Sequence, residues 1–186
     1  MQIKMNGTCS VIFVSPDKKI TVKTRHGDAD EHKAWRYNEA ALSIFKTLPG
    51  TGWYVFVAEL MHSKVPGLRD IFYVHEILVD NGNYLVGSTF EERQDRLARL
   101  FLEGRTPPPM TLSHYVLDEH TWLARNHKSG FPAVWEKIKA AQKPEYEGAV
   151  YSDRFARLEL CTRPESNVAW KKKSRIVDSE NRNYAN

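Results

Sequence analysis

The 186-residue sequence lacks most of the features that identify a protein class quickly. Its two cysteines, Cys9 and Cys161, stand far apart and without metal-ligand spacing, so neither a disulfide framework nor a zinc site is expected. No apolar run approaches the length of a membrane span, and the N-terminus lacks the layout of a signal peptide. The sequence contains no Ser-His-Asp, zinc or paired-carboxylate pattern that would indicate a hydrolase. We therefore expect a cytoplasmic protein, since a reducing compartment fits this cysteine usage.

Positive charge exceeds negative charge only slightly in this sequence. The 27 Lys and Arg residues against 23 Asp and Glu residues give a formal net charge of +4, and 41% of the residues are hydrophobic. This composition is typical of a globular chain, and the positive excess permits a polyanionic partner without requiring one. The length suits one well-cored domain, which we place at residues 1–175, followed by a polar tail at residues 176–186.

The hydrophobic pattern predicts an α+β domain. Apolar alternation between turn signals predicts strands at 10–14, 20–25, 53–58, 71–79, 111–117, 145–151 and 157–161, with a further strand starting at 168. Helical spacing and stop signals predict helices at 30–48, 89–104 and 132–142, and a capping box from Thr89 to Glu92 supports the second of these. The proline-rich segment 105–110 and the polar segment 118–130 are predicted as connections.

Five short motifs follow one another along the chain, and each carries residues able to do chemistry. They are Lys4-Met5-Asn6-Gly7, Arg25 in a turn after the second strand, Glu59 at the end of a strand, His75-Glu76 inside a strand, and Glu147-Gly148 followed by Lys171-Lys172-Lys173. A lysine becomes a nucleophile when neighbouring cations or desolvation disfavour its charged form. Each motif alone is more often a solvated surface feature, so the function depends on the whole set.

The set, in this order, resembles the motifs of the covalent nucleotidyltransferases, the superfamily of ATP-dependent DNA and RNA ligases and GTP-dependent mRNA capping enzymes. The first family motif, K-x-D/H/N-G, is matched by residues 4–7, and the third by residues 75–82 with the E-R-x-x-x-L helix at 92–97. The fourth, E-G-x-V, is matched by residues 147–150, and the fifth, K-x-K after a tryptophan, by residues 171–173. The resemblance spans residues 1 to about 175.

The resemblance implies a fold of two packed, mainly antiparallel sheets with flanking helices, a ligase-type domain similar to ATP-grasp, with the nucleotide in the cleft between the sheets. It implies that Lys4 attacks the α-phosphorus of ATP to form lysyl-AMP, and that Lys171 and Lys173 neutralise the α-phosphate. It also implies that Glu147 helps to hold Mg²⁺ or Mn²⁺. The other nucleotide contacts that it implies come from Gln2, Asn6, Gly7, Arg25, Glu59 and His75, with His75 over the base.

Departures from the family pattern leave several points open. Cys9 replaces an arginine common in DNA ligases, and Thr8-Cys9 is closer to RNA ligases, so we expect nicked or broken RNA or DNA with a 5′-phosphate as the partner, with RNA favoured. Gln2 stands where many ligases have a base-reading glutamate. Residues 174–186 leave no room for the OB-fold that usually follows, so three outcomes stay open: the bare domain only binds nucleotide, it reacts slowly, or a partner chain supplies the OB-fold function. The alternatives are a GTP-dependent capping guanylyltransferase and a non-catalytic nucleotide- or nucleic-acid-binding module.

Overall fold

The computed structural model of the chain describes residues 1–24, 37–61, 64–160 and 171–176. Within these residues the strands are β1 Gln2–Met5, β2 Thr8–Val14, β3 Ile20–Thr24, β4 Tyr54–Met61, β5 Ile71–Asp80, β6 Asn83–Tyr84, β7 His114–Val116, β8 Thr121–Ala124, β9 Tyr146–Ser152 and β10 Lys171–Arg175. The α-helices are α1 Ser43–Lys46, α2 Phe90–Leu102 and α3 Phe131–Ala141, and a 3₁₀ turn at Glu39–Leu42 precedes α1. None of these helices is long and apolar enough to cross a membrane.

The strands form two sheets, as the family resemblance implies. The small sheet has the order β1-β9-β10 and is antiparallel throughout. The large sheet has the order β3-β2-β4-β5-β8-β7, and β6 pairs with the end of β5. Its neighbours are antiparallel except for β5 and β8, which run parallel. The α+β fold class with two mainly antiparallel sheets is therefore confirmed.

Alternation along the large sheet divides its side chains between two cores. Residues such as Phe56 and Phe72 lie on one face, in a core that α1 and α2 help to cover. Met61 and Tyr73 lie in the second core, where they pack with Ile3 of the small sheet and with α3. Because successive strand residues point to opposite faces, β4 and β5 contribute to both cores at once. The second core holds the two sheets together.

Helix α2 begins as the capping box predicts and is anchored by a buried ion pair. Thr89 Oγ1 accepts a hydrogen bond from Glu92 N, and the Glu92 carboxylate accepts one from Thr89 N. One turn in, Arg93 is fully buried and donates from Nε and Nη2 to the two carboxylate oxygens of Glu76, at 3.1 and 3.0 Å. The bidentate geometry fixes α2 against β5.

The predicted helix at 30–48 is wrong as a continuous element. Asn38 has an extended backbone and caps the 3₁₀ turn with its side chain, which accepts from Ala40 N. An asparagine side chain satisfies backbone donors locally, and it therefore favours a helix start over a helix interior. Only residues 39–46 are helical, and the part of the predicted helix at 30–36 lies outside the described residues.

The strands of the structure also differ from the predicted strands at three places. Strand β8 was not predicted, because its four residues lie inside a segment that reads as polar overall. The strand predicted at 157–161 does not form at 157–160, where Arg157 makes a single bridge with Thr89 and Leu160 is exposed, and Cys161 lies outside the described residues. Glu59 does not end β4, because that strand continues to Met61.

Candidate functional site

Lys4 and Glu147 form an ion pair on neighbouring strands of the small sheet. β1 and β9 are antiparallel with Lys4 opposite Gly148, which brings the lysine side chain beside Glu147. Lys4 Nζ donates a hydrogen bond to Glu147 Oε2. The two side chains are only 18% and 11% exposed, so water screens this pair less than it screens a surface pair.

Glu59 approaches this pair from the large sheet. It lies in β4, opposite Cys9 of β2. Burial raises the pKa of Glu59 to about 7; the positive charge of Lys4 opposes this rise, and the negative charge of Glu147 adds to it. Lys64 and Lys173 also act on Glu59 electrostatically. The facing sides of the two sheets thus bring two carboxylates together with several cationic side chains, and we call the place marked by Lys4, Glu59 and Glu147 the cleft.

Gly148 allows β10 to approach β9 beside the ion pair. Its φ is +149°, and a Cβ at this position would lie 1.9 Å from the carbonyl oxygen of Ser174. Only glycine fits such a close backbone approach. The resulting register places Lys173 opposite Val150, with its side chain exposed, and Arg175 Nε lies 3.6 Å from Glu147 Oε1.

The link between the sheets is Asn6-Gly7. Asn6 N donates to the carbonyl oxygen of Glu145 at 2.9 Å, and Lys64 Nζ donates to that of Gly7 at 2.6 Å. A Cβ on Gly7 would lie 2.9 Å from Glu59 Cβ. The two residues that join β1 to β2 therefore hold the Lys4 strand close to Glu59.

A network of amides lies at the other end of β1. Gln2 is buried, and its Nε2 lies 3.2 Å from both the carbonyl oxygen of His75 and Oε1 of Gln94. Asn126 Nδ2 donates to the same Gln94 oxygen at 2.7 Å. The ring of His75 is half-buried and lies 6.4 Å from that of Tyr73, centroid to centroid.

A cavity of about 480 Å³ adjoins this amide network on the side of α2. Its walls include Gln94 and Asn126, apolar side chains of α2 and β8, and Ser152 at the end of β9. Ion pairs of Glu91 with Arg154 and Lys128 lie at its margin. The cavity and the charged cleft therefore lie at opposite ends of the small sheet.

The structure brings together most of the residues that the sequence singles out. Lys4, Glu59, Glu147 and Lys173 interact around the cleft, with Asn6 and Gly7 at its end, and Gln2 contacts His75 farther along. The backbone of Lys171 lies in β10 opposite Ser152. Arg25 lies outside the described residues.

Three residues near the site escape motif-based reasoning: Lys64, Gln94 and Arg175. Lys64 lies in the loop between β4 and β5, and Arg175 follows the lysine run by two residues, so neither carries a periodic signal. Gln94 directly follows Arg93 in α2, and only its contacts with Gln2 and His75 draw attention to it.

No group of three or more His, Cys, Asp or Glu side chains able to hold a metal ion occurs in the part of the chain that the structure describes. The cleft offers the carboxylates of Glu59 and Glu147. Mg²⁺ binds through one or two carboxylates together with phosphate oxygens and water, so this donor set fits a magnesium ion that arrives with a nucleotide.

Solved structures share this arrangement of sheets. The ligase domain of LigD from M. tuberculosis superposes with a TM-score of 0.61 and 13% sequence identity, over 94% of this chain and 53% of that structure. The fold is that of a ligase nucleotidyltransferase domain. A mycobacterial DNA ligase D complexed with ATP and MES gives a TM-score of 0.57, also at 13% identity and with the same coverage of both chains. The chain thus spans about half the length of the ligase-domain structures it matches.

The likeness to these ligase-domain structures rests on the three-dimensional fold alone, because the sequence matches no protein-family model and no curated protein. At 13% identity, the three-dimensional arrangement is preserved although few residues are shared. The correspondence covers the fold, and the chemistry has to be argued from the cleft itself.

Proposed function

We propose that this chain is an ATP-dependent polynucleotide ligase-type nucleotidyltransferase that forms a covalent lysyl-AMP at Lys4. The observation that carries the proposal is the pairing of Lys4 Nζ with Glu147 in a half-buried cleft that also holds Glu59, Lys64 and Lys173. A lysine held by a carboxylate among further cations, between the two sheets of a ligase-type fold, has both an acid–base partner and a charge environment suited to a triphosphate.

In the first step, neutral Lys4 Nζ attacks the α-phosphorus of ATP. The Nζ–P bond forms, the bond between the α-phosphorus and the bridging oxygen breaks, and pyrophosphate leaves with that oxygen. Glu147 already accepts a hydrogen bond from Nζ, so it is positioned to take the proton that the amine must lose. In the second step an oxygen of a 5′-phosphate attacks the same phosphorus, the Nζ–P bond breaks, and Nζ regains a proton. In the third step a 3′-hydroxyl loses its proton and attacks the 5′-phosphorus, and AMP leaves as the strand is sealed.

Cationic side chains prepare the cleft for the charge of the nucleotide. Lys173 and Lys64 both act electrostatically on Glu59, so their charges reach the space between the sheets. Cations placed where phosphate charge develops stabilise the transition state without reorganisation. We assign the same role to Lys171, and phosphate or ribose contacts to Arg25 and Glu59, by resemblance to the family motifs.

The nucleotide would lie along β1, with its base toward Gln2 and His75 and its phosphates toward Lys4, Asn6 and Gly7. Mg²⁺, or Mn²⁺ with similar oxygen preferences, would be held with the help of Glu147 and would screen the phosphate charge. The proposed acceptor is a nicked or broken RNA or DNA end, which the net charge of +4 favours electrostatically.

The test is covalent labelling. The chain is incubated with Mg²⁺ and α-labelled ATP or GTP and then separated by denaturing electrophoresis. We expect ATP label on the wild type, acid-labile as a phosphoramidate should be, and none on Lys4→Ala or Lys4→Arg. Lys4→Arg keeps the positive charge beside Glu147, so its failure would separate the nucleophile from the ion pair. Lys143→Ala, which changes an exposed lysine paired with Glu145, should label like the wild type.

Each contrary result has a distinct meaning. Label from GTP instead of ATP would indicate a capping-type guanylyltransferase. Label that persists on Lys4→Ala would place the nucleophile elsewhere. Nucleotide or nucleic-acid binding with no covalent product would indicate a binding module that retains the ligase fold.

A further inference from the structure

Strand β9 has one residue more than its partner β1 at the position of Glu147. Lys4 is opposite Gly148. The next residue of β1, Met5, is opposite Tyr146, so Glu147 is the extra residue of a β-bulge. In a regular ladder Glu147 would be opposite Met5, whose side chain lies in the second core. The bulge therefore keeps this carboxylate out of the core and leaves it on the side of Lys4.

The side chain that precedes the bulge is hydrogen-bonded inside the second core. Tyr146 belongs to this core, and its hydroxyl oxygen lies 3.1 Å from Ser113 Oγ. Ser113 Oγ also lies 2.7 Å from His114 Nδ1, and the His114 ring stacks on Trp122 with the ring centroids 3.9 Å apart. Burial lowers the pKa of His114 to about 4, so near neutral pH the serine hydroxyl lies between a neutral imidazole and a phenol.

The same serine is linked to β1 through Tyr73. Two carbonyl oxygens lie near the Tyr73 hydroxyl, that of Ile3 at 3.1 Å and that of Ser113 at 3.4 Å. Because carbonyl oxygens only accept, the phenol donates, and its shorter contact is with Ile3. This carbonyl belongs to the planar peptide that joins Ile3 to Lys4. Ser113 thus connects the position before Lys4 on β1 with the position before the bulge on β9.

These hydrogen bonds favour one register of β1 and β9 over its neighbours. Ser113, Tyr73 and Tyr146 are almost fully buried, and polar groups in an apolar core are costly unless they are hydrogen-bonded. A slip of β9 by one residue would turn Glu147 into the core and Tyr146 out of it. The Ser113 hydroxyl would then lose its phenol partner, so the slip carries the penalty of an unpaired buried group.

We propose that three buried residues, Ser113, Tyr146 and Tyr73, act as positioning residues for the bulge of β9. They keep the carboxylate of Glu147 beside Lys4 Nζ. Their hydroxyl groups are buried in the second core, so they act through the two strands. The inference rests on the proposed function, since it takes Glu147 to receive the proton that Lys4 loses.

The first test is a zero-length crosslink, which needs no nucleotide. A carbodiimide joins an amine to a carboxylate when the two are in contact, and mass spectrometry of the digested protein identifies the amide between Lys4 and Glu147. We expect this product in the wild type. Its yield should be at least about threefold lower in Tyr73→Phe, Ser113→Ala and Tyr146→Phe, because one net hydrogen bond changes an equilibrium by about this factor or more.

Tyr54→Phe is the matched control. Tyr54 is also buried, and its hydroxyl donates to the carbonyl oxygen of Pro49 at 2.6 Å, but it lies in the other core. The control removes a phenol hydroxyl of the same kind without touching the small sheet. It should lower the unfolding temperature as the three variants do, and it should keep the wild-type yield of the crosslink.

Labelling with α-labelled ATP gives the second readout. In a single turnover, the rate of lysyl-AMP formation should fall in each variant by the same factor as the crosslink yield, since both count the molecules in which Glu147 contacts Lys4. Adding Tyr146→Phe to Glu147→Gln should cause no further loss of rate, because the carboxylate that Tyr146 positions is already absent.

A wild-type crosslink yield in folded Tyr146→Phe and Ser113→Ala variants would overturn the inference. An equal loss of yield in Tyr54→Phe would also overturn it, since the effect would then be one of general stability. A wild type that forms the crosslink but takes up no label would instead overturn the proposed function, while the crosslink yields would still decide whether these residues position Glu147.

Discussion

At the scale of single residues, Glu59 couples the site to pH. Burial raises the pKa of Glu59 to about 7, against 4.5 for an ordinary glutamate. Between these values the folded state binds more protons than the unfolded state, so this group makes the protein less stable as pH rises, and the penalty is complete above about pH 7. Its size is on the order of 3 kcal/mol.

The corresponding prediction concerns Glu59→Gln. The variant lacks the charge that is costly to bury, so it should unfold at a higher temperature than the wild type at pH 8, and the gap should narrow toward pH 5. Thermal unfolding of both proteins at the two pH values measures this. A gap that is the same at pH 5 and pH 8 would show that Glu59 ionises in the folded protein as it does in the unfolded chain.

Gly148 offers a second prediction at this scale. Gly148→Ala would drive a Cβ into the carbonyl oxygen of Ser174, so β10 must move away from β9. We expect a loss of stability of at least about 2 kcal/mol, together with weaker labelling, because Lys173 moves away from Glu59. Gly104→Ala is the control: its φ of +69° carries the backbone strain, but no heavy atom lies within 4 Å of the added Cβ. It should cost about 1 kcal/mol.

At the scale of elements, the ion pair between Glu76 and Arg93 joins α2 to β5. Removing one partner leaves the other charge buried and unpaired, so Arg93→Met should cost about 3–5 kcal/mol in chemical denaturation. The double variant Glu76→Met with Arg93→Met buries no charge and should lose less than the sum of the two single variants. Additive losses would indicate that the two side chains contribute independently.

The elements also show what the sequence could predict. The hairpin of β2 and β3, the long strand β5 and the capped helix α2 all follow from local signals, namely alternation, turn residues and a capping box. Strand β8 does not, because it pairs in parallel with β5 from a segment distant in sequence. The 3₁₀ turn after Asn38 could not be predicted from periodicity either. The Asn38 side chain caps a new element at this point, although the apolar residues around it keep helical spacing.

The residues of the candidate site also fall into two groups, those that the sequence could predict and those that it could not. Lys4 and Glu147 belong to motifs with characteristic spacing, so their convergence in the cleft was foreseeable from the resemblance. Gln94 was not, because its importance comes from which acceptors surround it, and a sequence does not state which way an amide faces. Lys64 reaches Gly7 from a loop, and loop conformation has no sequence period.

At the scale of the whole molecule, the proposed nucleic-acid partner predicts a salt dependence. Each phosphate neutralised by a lysine releases counterions, so the logarithm of the binding constant should fall linearly with the logarithm of salt concentration. Lys173→Ser removes an exposed cation next to the cleft and should reduce the slope by about 0.9 on a nicked duplex. Lys46→Ser, on the exposed side of α1, should leave the slope unchanged. Equal slopes for all three proteins would exclude the β10 edge from the interface.

The small sheet joins parts of the chain that are made far apart in time. β1 begins at Gln2, whereas its partner β9 begins only at Tyr146 and β10 at Lys171. The large sheet, drawn from residues 8–124, has all its strands available earlier. The lysine strand β1 therefore stays unpaired with β9 until residues 146–152 have been made. A truncated translation product that stops before β9 therefore cannot form the Lys4–Glu147 pair on which the proposed chemistry depends.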